Sequence, residues 1–139
     1  MNAAFVADAS IGLAAWVHPT QSTALTAELL RDVEAGAELH VPGLWPLEIC
    51  NALLVMTRRG LLTRQQQKST FLFLSKLTVA LDSEAALLAW RAIPDLAAKY
   101  NLSAYDACYL ELAIRKGLPL ASRDEPLRTA ARKCAVKVL

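Results

Sequence analysis

Ala3-Ala4-Phe5-Val6-Ala7 runs directly into Asp8-Ala9-Ser10. An apolar run stopped by an acid and a hydroxyl suits a buried strand of a parallel sheet whose C-terminal end delivers a polar cluster. Short strands are read outward from it at Leu39-His40-Val41, Leu77-Thr78-Val79-Ala80-Leu81, Leu118-Pro119-Leu120-Ala121-Ser122 and Val136-Lys137-Val138-Leu139. Helical patterns separate them. From Ser22 to Ala35 the residues Ala24, Leu25, Leu29, Leu30 and Val33 fall at helical spacing, and Gly36 stops the run. Pro42-Gly43 turns the chain into a helix from Leu44 to Arg59, closed by Gly60, and Thr63 caps another reaching Lys76. Asp82 or Ser83 caps a helix with Leu87, Leu88, Trp90 and Ile93 on its apolar side, disturbed at Pro94 and ending near Tyr100. Ser103 to Lys116, closed by Gly117, and Glu125 to Lys133 complete the set. Strands alternating with helices predict an α/β fold, a three-layer α/β/α sandwich about a short central parallel sheet with right-handed crossovers.

The chain has 139 residues, 55% hydrophobic and 20% charged, with 5 Gly and 6 Pro, which excludes a disordered tail or a collagen-like rod and predicts one domain over residues 1–139. A chain of this size buries about two thirds of the surface it exposes when unfolded, enough for a core without staples. Cys50, Cys108 and Cys134 are odd in number and widely spaced, as suits reduced apolar filler. The first basic residue is Arg31, so there is no charged leader region, and no apolar run approaches the roughly eighteen residues of a membrane span. A cytoplasmic protein without membrane contact is expected. The net charge of +2 is too mild to identify a polyanionic partner alone.

In a doubly covered parallel sheet, ligands bind beyond the strand C-terminal ends. Asp8, Asp106 and Asp124 follow strands or open helices at that rim. Each also has an ordinary structural use: Asp8 in an Asx turn, Asp106 in a partial capping box with Ser103, and Asp124 as a helix cap. Glu48 differs. It sits within Trp45-Pro46-Leu47-Glu48-Ile49-Cys50-Asn51-Ala52-Leu53, with no Lys or Arg within nine residues. An unpaired carboxylate in such surroundings costs several kcal/mol. A divalent ion removes that cost, and oxygen donors without His or Cys select hard ions, Mg2+ or Mn2+. His18 and His40 are the only imidazoles, with no nucleophile elbow around them, so a Ser/His/Asp or Cys/His mechanism is poorly supported.

Taken in order, Val6-Ala7-Asp8-Ala9-Ser10, Leu47-Glu48-Ile49-Cys50-Asn51-Ala52-Leu53, Ser103-Ala104-Tyr105-Asp106-Ala107-Cys108-Tyr109-Leu110-Glu111-Leu112-Ala113 and Ala121-Ser122-Arg123-Asp124 resemble the PIN domain family, most closely the VapC-type toxins of bacterial toxin–antitoxin pairs. The resemblance spans essentially the whole chain. It implies that Asp8, Glu48, Asp106 and Asp124 gather into a Mg2+ or Mn2+ site for cleaving RNA phosphodiesters, with Asp124 ranking last as a ligand. Ser10, Asn51 and Ser122 would then be supporting or substrate-orienting groups. Arg123 stands where the family often carries a small or apolar residue. The implied partners are RNA, a VapB-like antitoxin and a second copy in a homodimer; a catalytically inert interaction module of the same fold is the alternative.

Arg58, Arg59, Arg64 and Lys68 form an acid-free basic stretch, and Arg128, Arg132, Lys133 and Lys137 a second. Solvated helix faces explain either. Beside an acidic metal pocket, Arg58, Arg59 and Arg123 become candidates for holding RNA phosphates. Trp16, Trp45 and Trp90 read as core. Leu61-Leu62 with Phe71-Leu72-Phe73-Leu74 carries more apolar surface than one domain face buries, which predicts a dimer or antitoxin interface for about half of it.

Overall fold

The computed structural model describes residues 2–17 and 21–139; His18 lies outside them. Four parallel strands, β1 (Ala4–Ala7), β2 (Glu38–Pro42), β3 (Val79–Asp82) and β4 (Leu120–Ala121), form one sheet in the order β3-β2-β1-β4. Around it, among the described residues, lie eight helices: α1 (Ala9–Trp16), α2 (Ala24–Glu34), α3 (Leu44–Arg58), α4 (Arg64–Leu74), α5 (Ala85–Leu88), α6 (Ala92–Tyr100), α7 (Ala104–Lys116) and α8 (Glu125–Lys133). This is the three-layer α/β/α architecture that the alternation of strands and helices predicts. No helix among the described residues is long and apolar enough to cross a membrane.

Topology fixes the rim at which a sheet of this kind leaves a crevice. The chain adds β2 and then β3 on one side of β1, then returns to set β4 on the other side. β1 and β4 therefore flank the point where strand order reverses, the place where open parallel sheets leave a crevice beyond their carboxyl ends. The Asp8 backbone N–H donates to the Ala121 carbonyl at 3.1 Å, locking the two strand ends together just where Asp8 and Ser122 leave the sheet.

Local chemistry sets the helix ends. Thr63 and Gln66 form a reciprocal capping box at α4, and Ser103 Oγ accepts the Asp106 N–H at 3.1 Å at the start of α7. Gly117 ends α7 at φ +64, a left-handed conformation that favours glycine. α2 begins two residues later than Ser22, with Thr23 and Thr26 as its capping box.

Four features depart from the sequence reading. α1 has no helical periodicity to detect, because Ala9-Ser10-Ile11-Gly12-Leu13-Ala14-Ala15-Trp16 is apolar on nearly every face. The helix expected from Ser83 to Tyr100 is two, α5 and α6, broken at Ala89–Arg91; Pro94 causes no disturbance because it sits in the first turn of α6, where its missing N–H is not needed. Trp90 and Leu87 lie beside that break, 89% and 70% exposed, so neither is core. The terminal strand reduces to one bridge, Leu120 to Val138.

Trp16 and Trp45 do pack together, edge to face with ring centroids 6.0 Å apart, between α1 and α3. Gly12 permits this approach. A β-carbon there would lie 2.8 Å from Ile49 Cδ1 and 3.1 Å from Trp45 Cζ2. Because Asp8 caps α1 and Glu48 precedes Ile49 on α3, this contact also sets the spacing of the two acids.

Candidate metal centre

Asp8 is buried, 5% exposed, at the junction of β1 and α1. Its carboxylate caps α1 by accepting the Ile11 N–H at 3.2 Å, and it accepts two hydroxyls, Ser10 Oγ at 2.5 Å and Ser122 Oγ from the end of β4. Those hydroxyls are themselves anchored: Ser10 Oγ accepts the Arg123 N–H at 3.1 Å, and Ser122 Oγ the Asp124 N–H at 3.0 Å. The loop after β4 is thus tied to the loop after β1 through one carboxylate. Burial raises the Asp8 carboxyl above its ordinary range, and the Ser10 and Ser122 hydrogen bonds offset part of that.

Glu48 projects from the second turn of α3 and is only half buried. Its Oε1 accepts the Tyr109 hydroxyl at 2.6 Å. Burial raises its carboxyl, the Tyr109 bond pulls it back, and the charges of Asp8 and Asp106 raise it further. Asp106, in the first turn of α7, is raised by burial and then by the charges of Asp124 and Asp8. Asp124 caps α8, accepting the Leu127 N–H at 2.9 Å. All four acids that the sequence singles out therefore approach one rim, close enough for their charges to act on one another.

The chemistry of that donor set fits a hard cation. Asp82, Glu84, Glu111 and Glu125 each pair with an arginine, whereas among the described residues none of the four rim acids is in an ion pair. Carboxylates that repel one another with no basic partner lower their energy by taking a dication. The arrangement is open: no three of the described His, Cys, Asp or Glu side chains stand as an assembled cage.

The other expected site residues divide into near and far. Ser10 and Ser122 belong to the Asp8 network. Arg123 lies between Ser122 and Asp124, its backbone in the network and its exposed guanidinium donating to Gln21 Oε1 at 3.1 Å. Asn51 is exposed, nearly one turn beyond Glu48 on α3. Arg58 and Arg59 are exposed at the far end of α3, about 15 Å along the helix from Glu48, and so lie outside the cluster. His40 bonds Glu38 at 3.0 Å within β2. The Cys108 thiol is pushed up to about 11, by burial first and then by the charges of Glu111 and Glu48, which leaves it a poor nucleophile at neutral pH.

Sequence reasoning missed two features. Tyr109 lies inside one of the family-like motifs but has no role there; its position three residues after Asp106, on the same helical face, was the available signal. An apolar groove of about 480 Å³ also runs along one face of α7, lined by Leu44, Ile93, Pro94, Tyr105 and Cys108. Its walls come from segments distant in sequence. Of the apolar stretch singled out above, Leu62, Phe71 and Leu74 pack on the core, while Leu61 and Leu72 are 61% and 59% exposed.

A family model, the PIN domain, matches residues 5–133. No curated protein matches the chain. Among solved structures, PAE2754 from Pyrobaculum aerophilum is similar with a TM-score of 0.61 and 24% identity, covering 94% of this chain and 86% of that one. VapBC2 from Rickettsia felis, bound to a DNA fragment from their promoter, is similar with a TM-score of 0.60 and 14% identity over 87% of each chain. At these identities the likeness is one of fold.

Proposed function

Because the chain belongs to the PIN domain family, we propose that it is a Mg2+- or Mn2+-dependent endoribonuclease, the toxin of a VapBC-type pair. What supports this reading is that Glu48 feels the charges of Asp8 and Asp106, and Asp106 those of Asp124 and Asp8, with no ion-pair partner for any of the four among the described residues. Asp8, Asp106 and Glu48 would hold the ion, with Asp124 contributing least. When bound, the ion supplies Lewis acidity and a lowered water pKa at the attacked phosphate.

The chain's own groups do the positioning. Ser10 and Ser122 hold the Asp8 carboxylate in one rotamer. Arg123 and Asn51, exposed at the rim, orient the RNA backbone, and Arg58 with Arg59 holds phosphates farther along the strand. The VapBC2 neighbour supports a VapB-like antitoxin as partner. The groove lined by Tyr105 and Cys108 and the exposed Leu61, Leu72 and Phe73 offer apolar surface to that antitoxin and to a second copy in a homodimer. The proposed setting is the cytoplasm.

The test is RNA cleavage by the purified chain with Mg2+, Mn2+ or chelator, alongside Asp106→Asn. Metal-dependent cleavage lost in the variant supports the reading; cleavage that survives in Asp106→Asn removes the assignment. The inert interaction module is favoured by one observation, the lack of an assembled cage among the described residues. A chain that neither binds Mn2+ nor cleaves RNA selects it.

A further inference from the structure

Tyr109 is 1% exposed, its ring packed in the core on α7. A ring so deeply held has one way to satisfy its hydroxyl, and here it donates to Glu48 Oε1 at 2.6 Å, across 61 residues of sequence. The contact joins the two helices that carry half of the acid set. Tyr109 follows Asp106 by three residues and so shares its face of α7, while Glu48 comes from α3. Glu48 needs such a partner more than its neighbours do. Asp8 and Asp124 are fixed by backbone N–H groups at their own helix starts, and Asp106 lies in a first turn, whereas Glu48 sits past the first turn of α3. A glutamate there has three side-chain torsions free and no donor of its own helix to restrain it.

We infer that Tyr109 is a positioning residue: its phenol fixes Glu48 through Oε1 and leaves Oε2 for a divalent ion at the rim. This rests on the metal reading above. The hydroxyl acts at a distance from substrate and ion, through Glu48 alone.

The test uses Mn2+ titration of the RNA-free protein, with free Mn2+ read by electron paramagnetic resonance. It compares the wild type with Tyr109→Phe, Glu48→Ala and the double variant. Tyr109→Phe keeps the ring and removes only the donor. It should retain the wild-type circular dichroism spectrum and bind Mn2+ roughly 10- to 100-fold more weakly, the range for losing a group that orients a metal ligand. Glu48→Ala should lose at least as much, and adding Tyr109→Phe to it should cost nothing further, because the phenol then has no carboxylate to orient. Wild-type Mn2+ affinity in Tyr109→Phe overturns the inference, as do losses that simply add in the double variant. A Tyr109→Phe chain that does not fold also overturns it, by making the hydroxyl structural. If the wild type itself binds no Mn2+, the metal reading falls and this inference with it, a result distinct from failure of Tyr109 alone.

Discussion

Replacing Asp8 by Asn separates its role as a helix cap from the metal-ligand role proposed for it. Asparagine is as good a helix cap as aspartate, so the bond from the Ile11 N–H survives. The cost lies with the hydroxyls. Ser10 and Ser122 both donate to the carboxylate, and each already accepts a backbone N–H. An amide offers one oxygen, so one hydroxyl must face its NH2 group and lose its acceptor, at about 1.5–3 kcal/mol for a hydrogen bond to a charged group. Against this, the substitution removes a desolvated charge whose carboxyl is raised by burial, and it relieves repulsion on Glu48 and Asp106. The two effects oppose, so metal-free Asp8→Asn should melt close to the wild type.

Metal should divide the two proteins. At one hundred times its dissociation constant, Mn2+ stabilises the wild type by about 2.7 kcal/mol. For a chain of this length that is a rise of roughly 10 °C in melting temperature. If losing the Asp8 charge weakens affinity about 100-fold, the same Mn2+ concentration leaves only about 0.4 kcal/mol, a shift of one or two degrees. Thermal melts with and without Mn2+ read this directly, and RNA cleavage should vanish in parallel. An Asp8→Asn variant that gains the full shift refutes Asp8 as a ligand, whatever happens to cleavage.

Three further outcomes follow from the geometry. Asp8, Glu48 and Asp106 have folded-state carboxyls raised above their ordinary 3.8, 4.5 and 3.8, so the folded chain holds more protons than the unfolded one above those values, and metal-free stability should fall as pH rises from there toward neutrality. Asp32 and Glu125, both lowered, act oppositely and only at lower pH, as stability is lost on descending through their folded values; melting curves across pH should show the neutral-side fall flattened in Asp106→Asn, and an unchanged slope would contradict the assignment. Arg115→Met should destabilise by about 3 kcal/mol, the lower end for breaking a buried pair, because it strands Asp82 and Glu111, whose side chains are 6% and 7% exposed; chemical denaturation measures it, and Mn2+ affinity should not change. Gly12→Val should cost about 1–3 kcal/mol by overpacking against Ile49 and Trp45, and should also weaken Mn2+ binding, because it pushes Asp8 away from Glu48; a stability loss with intact affinity would show that α1 can shift without moving the site.

The sequence made legible whatever local chemistry determines. β1 and the acid that ends it, α7 between Ser103 and Gly117, and α8 from Glu125 to Lys133 all follow from apolar runs and caps. Glu48 stood out because nothing near it in sequence could neutralise it. What stayed hidden depends on contacts between distant segments. α1 carries no periodicity because it is covered on most sides, and Trp90 looked like core because hydropathy does not reveal that the chain breaks at Ala89 and turns the ring outward. The Tyr109 bond and the groove lined by Leu44, Ile93 and Tyr105 join parts of the chain that no spacing rule connects.

The capping role of the aspartates and the ligand role proposed for them are compatible, because a capping carboxylate can also face a cation. Asp8 and Asp124 cap helices and Asp106 lies in a first turn, so each anion faces the positive end of a helix. Three helix starts on one rim reduce the cost of gathering three negative charges before any cation arrives. A capping aspartate in the sequence therefore says nothing against a metal site at that position. The discriminating residue is the acid that no helix start supports: Glu48 lies in the second turn of α3, has no cationic partner among the described residues, and is held by a phenol from α7. Of the four acids, Glu48 is therefore the one whose replacement tests the proposed metal site with least effect on helix ends.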